Sequence, residues 1–253
     1  MSGLSAIEWT TRTWNPLTGC TRVTEGCRNC YAFTLHDMRH EVYTRTGGVL
    51  PGGKRLPVQY ARPFSDVQLL PERLEQPLHM RQPTTFFVNS MSDLFHSAVP
   101  DAYIVQVFDV MRRAFWHTFQ VLTKRAGRLR RLGPLLSWPP NVWMGVSIEL
   151  DSLTPRADAL RVVPATVRFL SCEPLLGPLP SLSLEGLQWV IVGGESGLGS
   201  RPMQEAWAVD LRDRCVSAGV PFFFKQWGGR TPKASGRLLQ GRTWDEMPQR
   251  KGA

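Results

Sequence analysis

The chain has 253 residues, of which 42% are hydrophobic, and it carries a net charge of +9. This length and composition support one large core, so we expect a single domain over residues 1–253. No apolar run approaches the ~20 residues of a membrane span, and the first residues lack the basic and apolar regions of a signal peptide, so the sequence predicts a cytoplasmic protein with no membrane partner.

The positive charge favours polyanionic partners such as nucleic acid. The densest basic run, over residues 124–131, is equally typical of a solvated helix face. Nine tryptophans offer stacking surfaces, although most tryptophans fill cores. Charge alone therefore leaves nucleic-acid binding open.

The first 43 residues are expected to carry a strand over residues 7–14, a cysteine loop and a helix over residues 31–42. The loop holds Cys20, Cys27 and Cys30 at the spacing C-x6-C-x2-C. Thiolates are soft ligands that select zinc, copper(I) or iron–sulfur clusters. Because no fourth cysteine lies nearby, two interpretations stay open. One is a cluster with an iron left for a small molecule, and the other is a zinc site closed by His36 or His40.

The rest of the chain alternates strands and helices. Residues 44–63 are rich in Gly and Pro and are expected to form a flexible loop. Apolar strands are predicted at residues 85–89, 119–123, 142–148, 167–171, 189–192 and 221–225. Helices are predicted at residues 66–79, 101–115, 126–136, 152–162 and 205–218, and the connection over residues 174–187 is too rich in Pro and Gly for a helix. This order predicts an α/β fold, a partial (β/α) barrel of about six to seven parallel strands, with a C-terminal extension over residues 229–253.

Polar side chains stand at or just past the ends of six successive predicted strands, where the active-site edge of a parallel α/β fold lies. Lys124 and Glu149 are candidates to clamp the two ends of a zwitterion. Glu195 follows a Gly-rich turn that allows close approach of the backbone to a ligand, and it is a candidate acceptor for a ribose or an amine. The candidate ligand-binding residues at this edge are Asn89, Ser90, Lys124, Glu149 and Glu195.

Five motifs together point to a known family. They are IEWT at residues 7–10, GCRNCYA at residues 26–32, SCEPLLG at residues 171–177, GGESG at residues 193–197 and FFFKQWG at residues 222–228. This combination resembles the phage Gp37/Gp68 family, also called DUF5131, which looks like a divergent relative of the radical S-adenosyl-L-methionine (SAM) enzymes. The resemblance implies a barrel of the radical SAM type with a [4Fe-4S] cluster on Cys20, Cys27 and Cys30. It also implies that SAM binds the open iron and is cleaved to a 5′-deoxyadenosyl radical.

The resulting functional expectation is a radical SAM-like enzyme that modifies or repairs nucleic acid, with DNA favoured, and that takes electrons from a donor protein. Two alternatives stay open. One is a non-catalytic, zinc-binding nucleic-acid-binding protein, and the other is a small-molecule barrel enzyme that uses the cluster without SAM.

Overall fold

The computed structural model describes residues 4–231 and 234–249. Its strands are β1 (Arg12–Trp14), β2 (Leu17–Thr18), β3 (Gln68–Leu69), β4 (Thr85–Val88), β5 (Thr118–Thr123), β6 (Val142–Ser147), β7 (Val167–Cys172), β8 (Trp189–Gly193) and β9 (Phe222–Gln226). Seven of them form one parallel sheet in the order β1-β4-β5-β6-β7-β8-β9, which curls into a half-barrel. Strands β2 and β3 pair separately as an antiparallel ribbon. The predicted partial barrel of six to seven parallel strands is confirmed.

Helices connect most of the parallel strands on the outside of the sheet. They are α1 (Tyr31–Thr46), α2 (Asp101–Arg113), α3 (Ala126–Leu132), α4 (Pro155–Arg161) and α5 (Glu205–Ala218). Short 3-10 helices lie at Glu25–Cys27, Val58–Ala61, Pro71–Arg73, Gln76–His79, Gly133–Leu135 and Asp151–Leu153. The connection between β7 and β8 has no helix in the described residues, as predicted for residues 174–187.

The largest differences from the predicted elements lie in two stretches. The prediction of a helix over residues 66–79 is wrong, because that stretch contains β3 and two 3-10 helices. Each 3-10 helix begins with or next to a proline, Pro71 or Pro77, and proline removes a backbone donor and disfavours helix in the residue before it. The first strand is also shorter than predicted, since residues 7–10 form a turn that carries Trp9 into the barrel.

Side chains alternate between the two faces of the sheet, as the strand period of two requires. The outer face contributes Val88, Val121, Met144, Leu170 and Val192 to a large core under the helices. The inner face holds an aromatic cluster of Trp9, Phe87, Trp143, Phe169, Trp189 and Phe223. Trp189 lies at its centre, with ring centroids 5.5 Å from Phe169 and 6.1 Å from Trp143. This cluster packs inside the curve of the half-barrel.

The ends of the predicted regions fall partly outside this description. Residues 1–3 at the start of the predicted domain, and residues 232–233 and 250–253 of the predicted C-terminal extension, lie outside the described residues.

The region predicted as a flexible loop, residues 44–63, contains three ordered features. They are the end of α1, a turn in which Leu50 N donates to Lys54 O at 2.8 Å, and the 3-10 helix Val58–Ala61. In the described part of the chain, no helix has the length and apolar character needed to cross a membrane.

Candidate functional site

A cavity of about 230 Å³ opens at the carboxyl edge of the half-barrel. Its volume is many times the ~10–15 Å³ that one water molecule needs, so it has room for a ligand. Trp9, Phe87 and Leu122 form its apolar part, and residues just past the strand ends form its polar wall. Parallel strands bring their carboxyl ends to one edge, which explains why residues so distant in the sequence meet here.

The three predicted cysteine ligands all line this cavity. Cys20 follows β2, Cys27 ends a 3-10 helix, and Cys30 directly precedes α1. Cys27 is buried and the other two are half-buried. Burial, reinforced by the charge of Asp93, raises the pKa of the Cys20 thiol to about 11, against the opposing effect of Arg125. The structure therefore brings the three thiols of the C-x6-C-x2-C motif to one space.

The cysteines do not converge on a single point. Among residues 4–231 and 234–249, no three His, Cys, Asp or Glu side chains lie close enough together to hold a metal ion. His36 Nε2 lies 2.9 Å from Arg62 O, and His40 Nδ1 lies 2.8 Å from Tyr60 O. Within the described residues neither histidine lines the cavity. A tetrahedral zinc with Zn–S bonds of about 2.3 Å needs closely convergent ligands.

Hydrogen bonds within the cysteine loop and to two distant parts of the chain hold the loop in place. Cys20 N donates to Phe64 O at 2.8 Å, and Arg22 Nε donates to Cys27 O at 3.2 Å. Arg125, just after β5, donates to Thr21 O at 3.1 Å and to Thr21 Oγ1 at 2.8 Å. These contacts fix the loop on the half-barrel and keep its three thiols at the cavity.

Glu149 is fully buried behind the cysteine loop. Its carboxylate forms an ion pair with Lys124, accepts from Arg156 at 3.1 Å and accepts from Thr24 Oγ1 at 3.1 Å. Burial by itself would raise the pKa of Glu149, but the Lys124 ammonium and Arg156 hold it below its usual range. Lys124 lines the cavity, whereas Glu149 is not among the lining residues in the described part of the chain. The predicted clamp residues thus neutralise each other and anchor the loop.

Asn89 and Ser90 follow β4 and line the cavity. Asn89 is only 3% exposed and adopts a left-handed conformation with φ of 63°. Among the described residues, neither its side-chain nitrogen nor its side-chain oxygen has a hydrogen-bond partner. Leaving a buried amide unpaired costs free energy, which a ligand with a donor and an acceptor would offset. Ser90 differs, because its hydroxyl is paired with Asn15 at 3.1 Å from Nδ2 and its carbonyl accepts from Tyr31 OH at 2.5 Å.

Glu195 also lines the cavity and is tied to the cysteine loop. It accepts two hydrogen bonds from the Arg201 guanidinium, at 2.6 and 2.9 Å, and one from Asn29 Nδ2 at 2.9 Å. Burial opposes ionisation, yet the Arg201 hydrogen bonds lower the pKa of Glu195. Arg201 in turn donates to Glu25 O at 2.8 Å. This carboxylate is therefore ionised and already engaged by the protein.

Glycines next to Glu195 allow another part of the chain to approach closely. Gly194 N donates to Gln226 O at 2.9 Å, and a Cβ on Gly194 would collide with Trp227 O. Gly228 has a φ of +85°, and a Cβ there would collide with Glu195 O. The backbone of residues 226–229 therefore lies directly against the backbone of Gly194 and Glu195.

The site prediction did not select Glu173 and Lys225, which also line the cavity. Lys225 Nζ lies 2.9 Å from Glu173 Oε1, and Ser171 Oγ donates to Glu173 Oε2 at 3.1 Å. Lys225 stands two residues beyond the inward-facing Phe223, and Glu173 stands four residues beyond the inward-facing Phe169. Combining the period of two with the strand ends would have found this pair, because inward residues continue inward at every second position.

Comparison with known proteins agrees with the motif-based resemblance. The family model described as "Protein of unknown function (DUF5131)" matches residues 4–248. No curated protein and no solved structure matches the chain.

Proposed function

The chain belongs to the DUF5131 family, and we propose that it is an iron–sulfur enzyme of the radical SAM type that modifies or repairs nucleic acid. One observation carries the proposal. Three thiols and the unpartnered amide of Asn89 line the same cavity, at the carboxyl edge of a parallel half-barrel. In parallel α/β folds this edge is where ligands bind and chemistry takes place.

The three cysteines that line the cavity are the ligands that this proposal assigns to the cluster. Cys20, Cys27 and Cys30 would hold the [4Fe-4S] cluster, since thiolates are its usual ligands. All three line one cavity, although no three His, Cys, Asp or Glu side chains in the described residues lie close enough together to hold a metal ion. When bound, such a cluster supplies the electron that cleaves S-adenosyl-L-methionine to a 5′-deoxyadenosyl radical, and a donor protein replaces that electron.

The protein's own residues would bind and orient the cosubstrate and the substrate. Asn89 offers a buried donor and acceptor, and Lys225 and Glu173 offer a cation and an anion on the same wall. Trp9 and Phe87 make the neighbouring wall apolar, which excludes water from reactive groups. The Arg125 and Glu195 contacts keep the cysteine loop in place while a ligand enters.

Charge and exposed aromatic surface support nucleic acid as the substrate. The net charge is +9, and Arg22 and Arg28 are exposed on the cysteine loop. Tyr31 lines the cavity while remaining 52% exposed, so its ring is accessible for stacking on a base. Cations and an aromatic ring beside a cavity are the features by which proteins bind nucleic acid and position one base.

The test begins with anaerobic purification of the full chain, followed by iron, sulfide and zinc analysis. We expect about four irons and four sulfides per chain, the content of one [4Fe-4S] cluster. Incubation with S-adenosyl-L-methionine and a strong reductant should then yield 5′-deoxyadenosine. Cys20→Ser, Cys27→Ser and Cys30→Ser should each lose iron and product. Cys215→Ala is the matched control, because Cys215 is buried on α5 and does not line the cavity in the described structure.

The remaining outcomes separate the alternatives. Stoichiometric zinc without iron would refute the cluster and favour the zinc-binding, non-catalytic protein. A cluster that forms but yields no 5′-deoxyadenosine, with or without DNA, would favour a small-molecule barrel enzyme that uses the cluster without SAM.

A further inference from the structure

Leu198 projects beside the cavity. Its side chain is 81% exposed, the largest exposed fraction among the large apolar side chains of the described residues. It lies between Gly197 and Gly199, which have φ angles of +116° and +75°. These left-handed positions need glycine, and together they turn the chain sharply on both sides of a single leucine. The result is a narrow tip with an apolar side chain at its end.

The tip is fixed at both ends. Gly197 N donates to Gly229 O at 2.9 Å, and Gly199 O accepts from Asn29 Nδ2 at 3.1 Å. Ser200 N donates to Gly197 O at 3.2 Å and closes the turn. Asn29 lines the cavity, as do Glu195 and Ser196 immediately before the tip. The exposed leucine is therefore held at the mouth of the cavity.

An exposed arginine stands next to each of the two residues that hold the tip, Asn29 and Gly229. Arg28 precedes Asn29, and Arg230 follows Gly229. Neither forms an ion pair within residues 4–231 and 234–249. An apolar point between two unpaired cations does not resemble a protein-binding surface, in which the centre is broad and apolar. It matches a nucleic acid, in which phosphates lie on both sides of stacked bases.

We propose that this tip binds duplex DNA, with Leu198 inserted into the base stack in the space of a base extruded into the cavity. The inference deepens the proposed function and rests on nucleic acid being its substrate. Apolar side chains such as Leu act as wedges between base steps, and enzymes that act on a base must first take it out of the stack. Arg28 and Arg230 bind the flanking phosphates. Tyr31 and the aromatic part of the cavity receive the base.

The experiment uses the full chain and a DNA duplex with one 2-aminopurine, whose fluorescence rises when it leaves the stack. Wild-type protein should raise that fluorescence, and Leu198→Ala should reduce the rise by ~threefold or more at saturating protein, because the vacated space is no longer filled. Leu198→Met should restore most of it. Leu135→Ala is the matched control, since Leu135 is 78% exposed on the 3-10 helix Gly133–Leu135.

The arginines have a separate readout. Arg28→Gln and Arg230→Gln should weaken duplex binding uniformly across sequences, and each should reduce the slope of log affinity against log salt by about 1. Equal fluorescence for Leu198→Ala and Leu135→Ala would overturn the wedge. So would the absence of duplex binding, or an equal or tighter affinity for the single strand. Iron content and 5′-deoxyadenosine are measured independently, so failure of the radical chemistry leaves this result intact.

Discussion

Replacing Glu149 with glutamine removes one buried negative charge while keeping the size and shape of the side chain. In the wild type this carboxylate balances Lys124 and Arg156 and accepts the hydroxyl of Thr24. Glutamine leaves the two cations facing a neutral amide. We therefore expect Glu149→Gln to destabilise the fold and to loosen the attachment of the cysteine loop.

The magnitude follows from how far the partners are buried. Removing one member of a buried ion pair costs about 3–5 kcal/mol. The Lys124 and Arg156 side chains retain 21% and 11% exposure, so water partly screens the charges that remain. We expect a loss of about 2–3 kcal/mol at pH 7, below the fully buried case. For a chain of this size that loss lowers the melting temperature by roughly 4–12 °C.

The pH dependence gives a second, sharper readout. The folded-state pKa of Glu149 is lowered from its ordinary value of 4.5, so its ionised form stabilises the fold above pH 4.5. That stabilisation disappears as the pH falls through the folded-state pKa. The difference between wild type and variant should therefore be complete at pH 7 and shrink below about pH 4.5.

Urea titrations followed by circular dichroism at pH 7, 5 and 3.5 measure both quantities. Glu185→Gln is the matched control, because Glu185 is exposed and forms no ion pair in the described residues. The reasoning is refuted if the two variants have the same unfolding free energy at pH 7. A difference that stays constant down to pH 3.5 would show that charge is not its cause.

Two further substitutions test the packing that shapes the site. Gly228→Ala and Gly52→Ala both place alanine at a positive φ, but only at Gly228 does a Cβ collide with another backbone atom. Gly52→Ala should cost ~1–2 kcal/mol in a urea titration and Gly228→Ala clearly more, and equal losses would contradict the backbone contact. Trp189→Ala empties the centre of the aromatic cluster and should cost about 3–5 kcal/mol by the same titration, whereas a loss below about 1 kcal/mol would mean that the cluster collapses to fill the space.

The sheet could be predicted because each inner strand is a short apolar run between turn signals. All seven parallel strands were located, and α5 was predicted with the bounds that the structure has, Glu205–Ala218. Predictions failed where local signals compete. Residues 66–79 carry apolar side chains at helical spacing, but Pro71 and Pro77 divide the stretch into 3-10 turns. Trp9 alternates with polar neighbours like a strand residue, yet its burial against Trp189 determines the turn there.

The sequence predicts which residues reach the candidate site, but it does not predict which of them form ion pairs with one another. Strand ends indicate which residues reach the carboxyl edge, and Asn89, Ser90, Lys124 and Glu195 all line the cavity. Which cation meets which anion depends on the curl of the sheet and on side-chain length. Lys124 and Glu149 pair behind the loop, whereas Lys225 and Glu173 pair within the cavity. No periodicity in the sequence distinguishes these two arrangements.

The cysteine loop shows why the site is a property of the whole half-barrel. Thr24 contacts Glu149 across 125 residues of sequence, and Asn29 contacts Glu195 across 166. Each of these two carboxylates is itself held by an arginine, Glu149 by Arg156 of α4 and Glu195 by Arg201. A loop with three cysteines has little apolar surface of its own to bury, so these polar contacts must determine its position. The three thiols therefore owe their position at the cavity to side chains that lie far away in the sequence, Glu149, Glu195 and Arg125.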